Sequence, residues 1–371
     1  MYRQKHLALV LVLLVFSSFH YILAQSVWDG GGDGTSWNDP LNWNTDMEPG
    51  LGAEVVINSS ATLTLSGTGT ALPPAKLTIT GPTTRVDLDM DLDIGDPVST
   101  TPALVVTNGG ILNLKPERTL ILDPPVTENA VQMNLAAGLN IEAGATLLVL
   151  KANRGINIAQ RTALLDNKGL ISLFNCNNHA IFLAEETGLV NYGEISITAP
   201  LRNGIYNVGS IVNLSGNITI NSPLNRGIQH IPGTIIPSSF TNTGTGTITI
   251  SSPGDDGIRS SAAFLNDTLA TITVTQAIDD GIELIGDVFT NHGTINLTCR
   301  DAAITSGPGL AVGTNSVAAT FINTSNNSLN IFAGGGGSGV SIYVYGMGVL
   351  SNSGTIDVSG GSPTLNIFNR G

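Results

Sequence analysis

Phe240-Thr241-Asn242, then Ile248-Thr249-Ile250, then Gly257-Ile258: this run decides the fold, because it comes back. The apolar residue and Asn spaced by two recur as Leu165/Asn167, Leu189/Asn191, Ile211/Asn213, Phe264/Asn266, Phe289/Asn291, Phe321/Asn323 and Leu350/Asn352. The apolar pair recurs as Ile171/Leu173, Ile195/Ile197, Ile218/Ile220, Ile272/Val274, Ile295/Leu297, Leu329/Ile331 and Ile356/Val358. The small-then-aliphatic pair recurs as Ala180-Ile181, Gly204-Ile205, Gly227-Ile228, Gly281-Ile282, Ala303-Ile304 and Gly339-Val340. The Asn-to-Asn steps are 24, 22, 29, 24, 25, 32 and 29 residues. Three short strand signals per repeat, none able to bury its own apolar face, describe a solenoid that builds one core by stacking.

Further upstream, Val106/Asn108 with Leu112/Leu114, and Ile141/Ala143 with Leu147/Val149, extend the pattern to ten coils. At about 4.8 Å per coil that is a rod roughly 48 Å long. Parallel crossovers are right-handed almost without exception. The expected fold is therefore all-β, a right-handed parallel β-helix over residues 76–371. Composition agrees, with 44 Gly, 5% aromatic and 12% charged residues, where a long helical protein would be rich in Glu, Lys and Ala. The recurring Asn suits a turn and can bond amide to amide between coils, so it reads as a structural ladder. The chain ends at Gly371 soon after an unfinished coil at Leu365-Asn366-Ile367-Phe368, which reads as part of a longer protein.

Residues 1–24 read as a secretory signal peptide, with Arg3 and Lys5 before an apolar stretch at 7–16 and Ala24 before the cut. Removing Arg3 and Lys5 from the 15 basic residues leaves 13 against 28 acidic ones, a net charge of −15. That balance argues against nucleic acid and anionic membranes as partners. No second apolar stretch is long enough to span a bilayer. Residues 25–75 hold all three Trp (28, 37 and 43) among Gly, Asp and Asn, and read as a small β cap over the first coil, with a sugar-stacking platform as the alternative.

Two acidic features could carry chemistry. In residues 86–94, apolar residues alternate with Asp87, Asp89, Asp91 and Asp93. A strand would place these four carboxylates on one face about 6.5–7 Å apart, a solvated face or a row of weak calcium ligands. The second feature precedes the small-aliphatic corners. Coil by coil the slot holds Asn178-His179, Arg202-Asn203, Asn225-Arg226, Asp255-Asp256 and Asp279-Asp280, then Asp301-Ala302 behind Arg300. Stacking would bring Asp255, Asp256, Asp279 and Asp280 together on one exposed edge, as weak calcium ligands or as an acid and base. The stripe shows few aromatics for sugar stacking, and the five His (6, 20, 179, 230, 292) have no metal-ligand spacing. Cys176 and Cys299 occupy equivalent turns five coils apart, roughly 24 Å, so no disulfide between them is expected.

Three resemblances add to this reading. The segment Trp28-Asp29-Gly30, Trp37-Asn38-Asp39-Pro40, Asn42-Trp43, Pro49-Gly50, Glu54-Val55-Val56-Ile57 resembles the opening of large exported surface proteins of Bacteroidetes-like bacteria. Asn291-His292-Gly293-Thr294-Ile295 and Asn352-Ser353-Gly354-Thr355-Ile356 resemble the repeat arrays of bacterial adhesin-like surface proteins. These imply export, surface display and adhesion or a passive scaffold. Gly254-Asp255-Asp256-Gly257-Ile258 resembles a motif of polygalacturonase-like β-helix glycosidases, which implies a polysaccharide hydrolase or lyase. The family's other elements do not line up: Asn225-Arg226-Gly227 stands one coil upstream, and His292-Gly293 lies on another edge. The expected function is thus a secreted or cell-surface binding rod for a polysaccharide or a host or cell-surface ligand, without a catalytic set and without a cofactor beyond weak calcium. The alternative is the hydrolase or lyase, using Asp255, Asp256, Asp279 and Asp280.

Overall fold

The computed structural model describes residues 25–371 except 69–72, 97, 300–308, 315, 325–326, 333–341, 360–366 and 371. The leader at 1–24, Arg300, Asp301-Ala302, Ala303-Ile304, Gly339-Val340 and Leu365-Asn366 lie outside the described residues. The chain winds through three parallel sheets. The first has 14 strands, from Ser26–Val27 to Ile367–Arg370; the second has 12, from Thr62–Ser66 to Gly348–Asn352; the third has 11, from Leu92–Ile94 to Thr355–Ser359. One coil takes one strand from each, as in Ile228–His230, Ser239–Thr243 and Thr247–Ser251. Each strand pairs in parallel with its counterparts one coil away: Ile248 faces Ile218 on one side and Ile272 on the other, and all three are fully buried. Among the described residues no helix is long and apolar enough to cross a membrane.

The coil count of ten is corrected to about twelve, a rod of roughly 58 Å. The added coils begin with Glu54–Ile57 and Thr62–Ser66, within residues 25–75, and with Lys76–Thr80 and Arg85–Asp89. The upstream register is corrected too. Asn167 pairs with Ile141, and Ile141 with Leu114, so these aliphatics fill the Asn slot that Ala143 and Asn108 were expected to hold. Leu112/Leu114 belongs to the second sheet; the third-sheet pair of that coil is Leu120/Leu122. The physical reason is the corner. Between Gly138–Ile141 and Thr146–Val149 the chain has four residues to turn in, whereas between Leu164–Asn167 and Leu170–Phe174 it has two.

The tight corners are satisfied by side-chain amides. Asn167 Nδ2 donates to Asn191 Oδ1 at 2.7 Å and to the Glu194 carbonyl at 3.1 Å. The amide-to-amide bond repeats at 2.7–2.9 Å through Asn213, Asn242, Asn266, Asn291, Asn323 and Asn352. The run stops at Asn167, whose buried Oδ1 has no donor because the slot below it holds Ile141. Two positions earlier, Phe240, Phe264 and Phe289 stack with ring centroids 4.5 Å apart inside the rod, and Phe321 follows at 5.4 Å. At Gly257 a Cβ would land on the Val274 side chain and the Gly281 carbonyl oxygen, which explains the small residue before the aliphatic.

The run at 86–94 is not one straight strand. Arg85–Asp89 lies in the second sheet and Leu92–Ile94 in the third, with a corner between them. The four carboxylates therefore do not form the single row expected, and three are already engaged. Asp87 accepts from Asn113 Nδ2 at 2.5 Å, Asp89 pairs with Arg118 Nε at 2.9 Å, and Asp91 accepts from the Thr119 amide at 2.8 Å. The three tryptophans are buried in one T-shaped cluster, with Trp43 set 5.0 Å from Trp28 and 4.9 Å from Trp37. Buried rings cannot stack on a sugar, so the platform alternative falls. Their segment pairs with the edges of two sheets, Ser26–Val27 beside Val55-Val56 and Ser36 beside Ser66.

Candidate functional site

The turn that leads from the third sheet into the first carries the polar stripe. Its residues stack because each turn is bonded to the next: the Asp255 amide donates to the Asn225 carbonyl at 3.2 Å, and the Asp279 amide to the Asp255 carbonyl at 3.3 Å. Asp255, Asp256, Asp279 and Asp280 do come together. Only Asp279 is exposed; Asp255 is half-buried, and Asp256 and Asp280 are buried, at 1% and 7% exposure. The expectation of an exposed edge is corrected at these two positions. They sit immediately before the inward-facing Gly257-Ile258 and Gly281-Ile282, so the turn has already begun to enter the core.

Arg226, one coil upstream, holds the first pair. Its Nη2 lies 2.5 Å from Asp255 Oδ2 and its Nε 2.8 Å from Asp256 Oδ2. A fifth carboxylate joins from the first sheet, where strand Ile282–Leu284 points Glu283 outward beside Arg259 of Ile258–Ser260. Arg259 Nε lies 2.9 Å from Glu283 Oε2, an ion pair without hydrogen-bond alignment. Two carboxylate triples converge: Asp255/Asp256/Asp279 and Asp256/Asp280/Glu283, each with ligand oxygens within 4.8 Å of one another. Crowding and burial hold protons on the inner group. Burial, then the charges of Asp256 and Asp279, push Asp280 up to about 9, and burial and Asp256 push Glu283 up to about 7. Asp256 and Asp279 are also raised, burial again being the larger cause.

The same face is richer than the stripe alone suggested. The outward residues of the first sheet run Asn157, Phe182, Tyr206, Gln229, Arg259 and Glu283 in register. Phe182 and Tyr206 stack at 5.5 Å and 13°, His179 lies 4.8 Å from Tyr206, and Arg154 caps Phe182 at 4.2 Å. These rings belong to the first-sheet strands and not to the turn stripe, which itself carries few aromatics. The signal was present as the middle residue of Ile181-Phe182-Leu183 and Ile205-Tyr206-Asn207, but it lies one element beyond the turn that drew attention. Burial and the neighbouring Arg154 and Arg202 charges hold His179 down to about 4, so it is neutral at pH 7. One end of this face is thus aromatic and cationic, and the other, past Gln229, is acidic.

No known family model, curated protein or solved structure matches the chain.

Proposed function

We propose that the chain is an exported, surface-associated binding rod whose first-sheet face holds an extended acidic polysaccharide. The observation that carries this reading is the aligned set Arg154, Phe182, Tyr206 and His179, with Arg202 beside it. The rings lie face to face along the rod, so they offer a row of apolar edges to sugar rings, and the exposed Arg202 guanidinium offers paired donors to carboxylates. The same proposal includes a cleaved leader ending near Ala24, a right-handed sense, and the Trp-rich start of residues 25–75 as a cap that shields the first coil. The resemblance to adhesin-like repeat arrays supports it. The test is affinity electrophoresis through gels containing acidic or neutral polysaccharide. The wild type is expected to be retarded by the acidic polymers, and Phe182→Ala/Tyr206→Ala to run freely. Equal migration of the two proteins in every gel contradicts the reading.

A polysaccharide hydrolase or lyase is the second reading. What favours it is a protonated acid, Asp280, close to the exposed carboxylate of Asp279. Against it stands Arg226, whose guanidinium already occupies Asp255 and Asp256.

A further inference from the structure

Asp280 is the least explained group in the molecule. It is 93% removed from solvent, given its 7% exposure, and its Oδ1 meets no hydrogen-bond donor. Buried carboxylates are normally paired or hydrogen-bonded, or they coordinate a metal. Around it, five carboxylates (Asp255, Asp256, Asp279, Asp280 and Glu283) face two guanidinium groups, Arg226 and Arg259, among the described residues. Among the described residues the cluster is short of positive charge at the place where Asp280 is bare.

We propose that Asp256, Asp280 and Glu283 form a binding site for a calcium ion, set between adjacent coils. Calcium takes oxygen ligands at about 2.3–2.6 Å, so two oxygens on one ion stand at most about 5 Å apart. The three ligand oxygens, within 4.8 Å of one another, meet that limit as they stand. The scaffold supplies them from firm positions: Asp256 and Asp280 from stacked turns, and Glu283 from the strand that follows. The neighbouring triple is the weaker choice, because Arg226 sits on two of its members, Asp255 and Asp256, and on only Oδ2 of Asp256 in the inner triple. At the inner triple, Arg259 engages only one oxygen of Glu283. Calcium is preferred to magnesium because it accepts irregular geometry completed by water, whereas magnesium demands a near-ideal octahedron. With three protein ligands the affinity belongs to the range of about 10⁻⁴–10⁻³ M. The site stands apart from the glycan-binding reading and does not depend on it.

The experiment is calorimetric titration of the full chain with calcium chloride, beside thermal melts with and without the ion. The wild type is expected to bind one ion and melt at higher temperature in calcium. Asp280→Asn and Glu283→Gln should each weaken binding at least about tenfold, while Glu194→Gln, exposed on a distant coil, should leave it unchanged. Asp280→Asn keeps the size and neutrality of the protonated acid, so its metal-free melting temperature at pH 7 should equal or exceed that of the wild type. If that variant does not fold, Glu283→Gln, on the half-buried outer position, decides alone. Three results overturn the proposal: no heat and no melting shift at about 10 mM calcium, a response of equal size to magnesium, or calcium binding that survives both substitutions.

Discussion

Asn213 and Asn242 are joined amide to amide across consecutive coils, Nδ2 of the first donating to Oδ1 of the second at 2.7 Å, with both side chains fully buried. Asn242 passes the bond on to Asn266 at 2.9 Å and also donates to the Thr271 carbonyl at 3.2 Å. Asn242→Ala would strand the Asn266 acceptor, while Asn213 Nδ2 keeps the Gly216 and Thr247 carbonyls. The expected loss is about 1–3 kcal/mol, from one buried group left unpaired. A shift of the urea-unfolding midpoint to lower concentration measures it, and an unchanged midpoint would show that the ladder is decorative.

Ile272 stacks on Ile248 and is fully buried. Ile272→Asp should abolish folding, since no partner for the charge exists inside the rod. Gly257→Ala should be milder but still destabilising, because the new methyl meets Val274 and the Gly281 carbonyl. Circular dichroism and limited proteolysis grade the two. A protease-resistant Ile272→Asp rod would break the register.

The acidic cluster makes stability depend on pH. In the fold Asp280 keeps its proton up to about 9, while in the unfolded chain it loses it near pH 4. Between those limits the unfolded state binds fewer protons, so stability falls as pH rises, by at most about 1.4 kcal/mol per unit. Glu283, raised to about 7, acts in the same direction below that pH. His179 and His230, lowered to about 4, act the opposite way, but only up to about pH 6.5. In chelator, then, the unfolding midpoint should decline between pH 7 and 9, and Asp280→Asn should flatten that decline. A wild-type midpoint that is level or rising over this interval contradicts the assignment.

Cys176 is 1% exposed, and burial pushes its thiol up to about 12. It shares a turn position with Pro200, Pro223, Pro253, Ala277 and Cys299 in successive coils. Five coils, roughly 24 Å, separate the two cysteines. Cys176 should stay unmodified by thiol reagents until the chain is unfolded, and peptide mapping should find no bond between the two. A linked peptide would overturn the coil register.

Much of the fold was legible because a solenoid repeats its constraints. Asn and the spaced aliphatic pairs recur at every coil from 165 onward, with Phe at 240, 264, 289 and 321, so one misread coil cannot hide the period. Upstream the repeat kept its shape but changed its chemistry: Ile141 and Leu114 took the Asn slot once the corner had four residues to turn in, and the register slipped there. The alternation at 86–94 read as one strand because period two continues through the corner after Asp89. At the site, stacking of the Asp pairs followed from the spacing alone. The burial of Asp280 and the arrival of Glu283 did not, since both depend on how the turn enters the next strand. Phe182 and Tyr206 were missed for the same reason, being single residues on an outer face whose pattern is set by their buried neighbours.

The most direct test of the central claim, binding without turnover, is a reducing-end time course on acidic polysaccharides that the protein retains. The account predicts retention by the wild type, loss of retention in Phe182→Ala/Tyr206→Ala, and no reducing ends above buffer. Release of reducing ends by the wild type that Asp256→Ala/Asp280→Ala abolishes would contradict it and make the carboxylate cluster an active site.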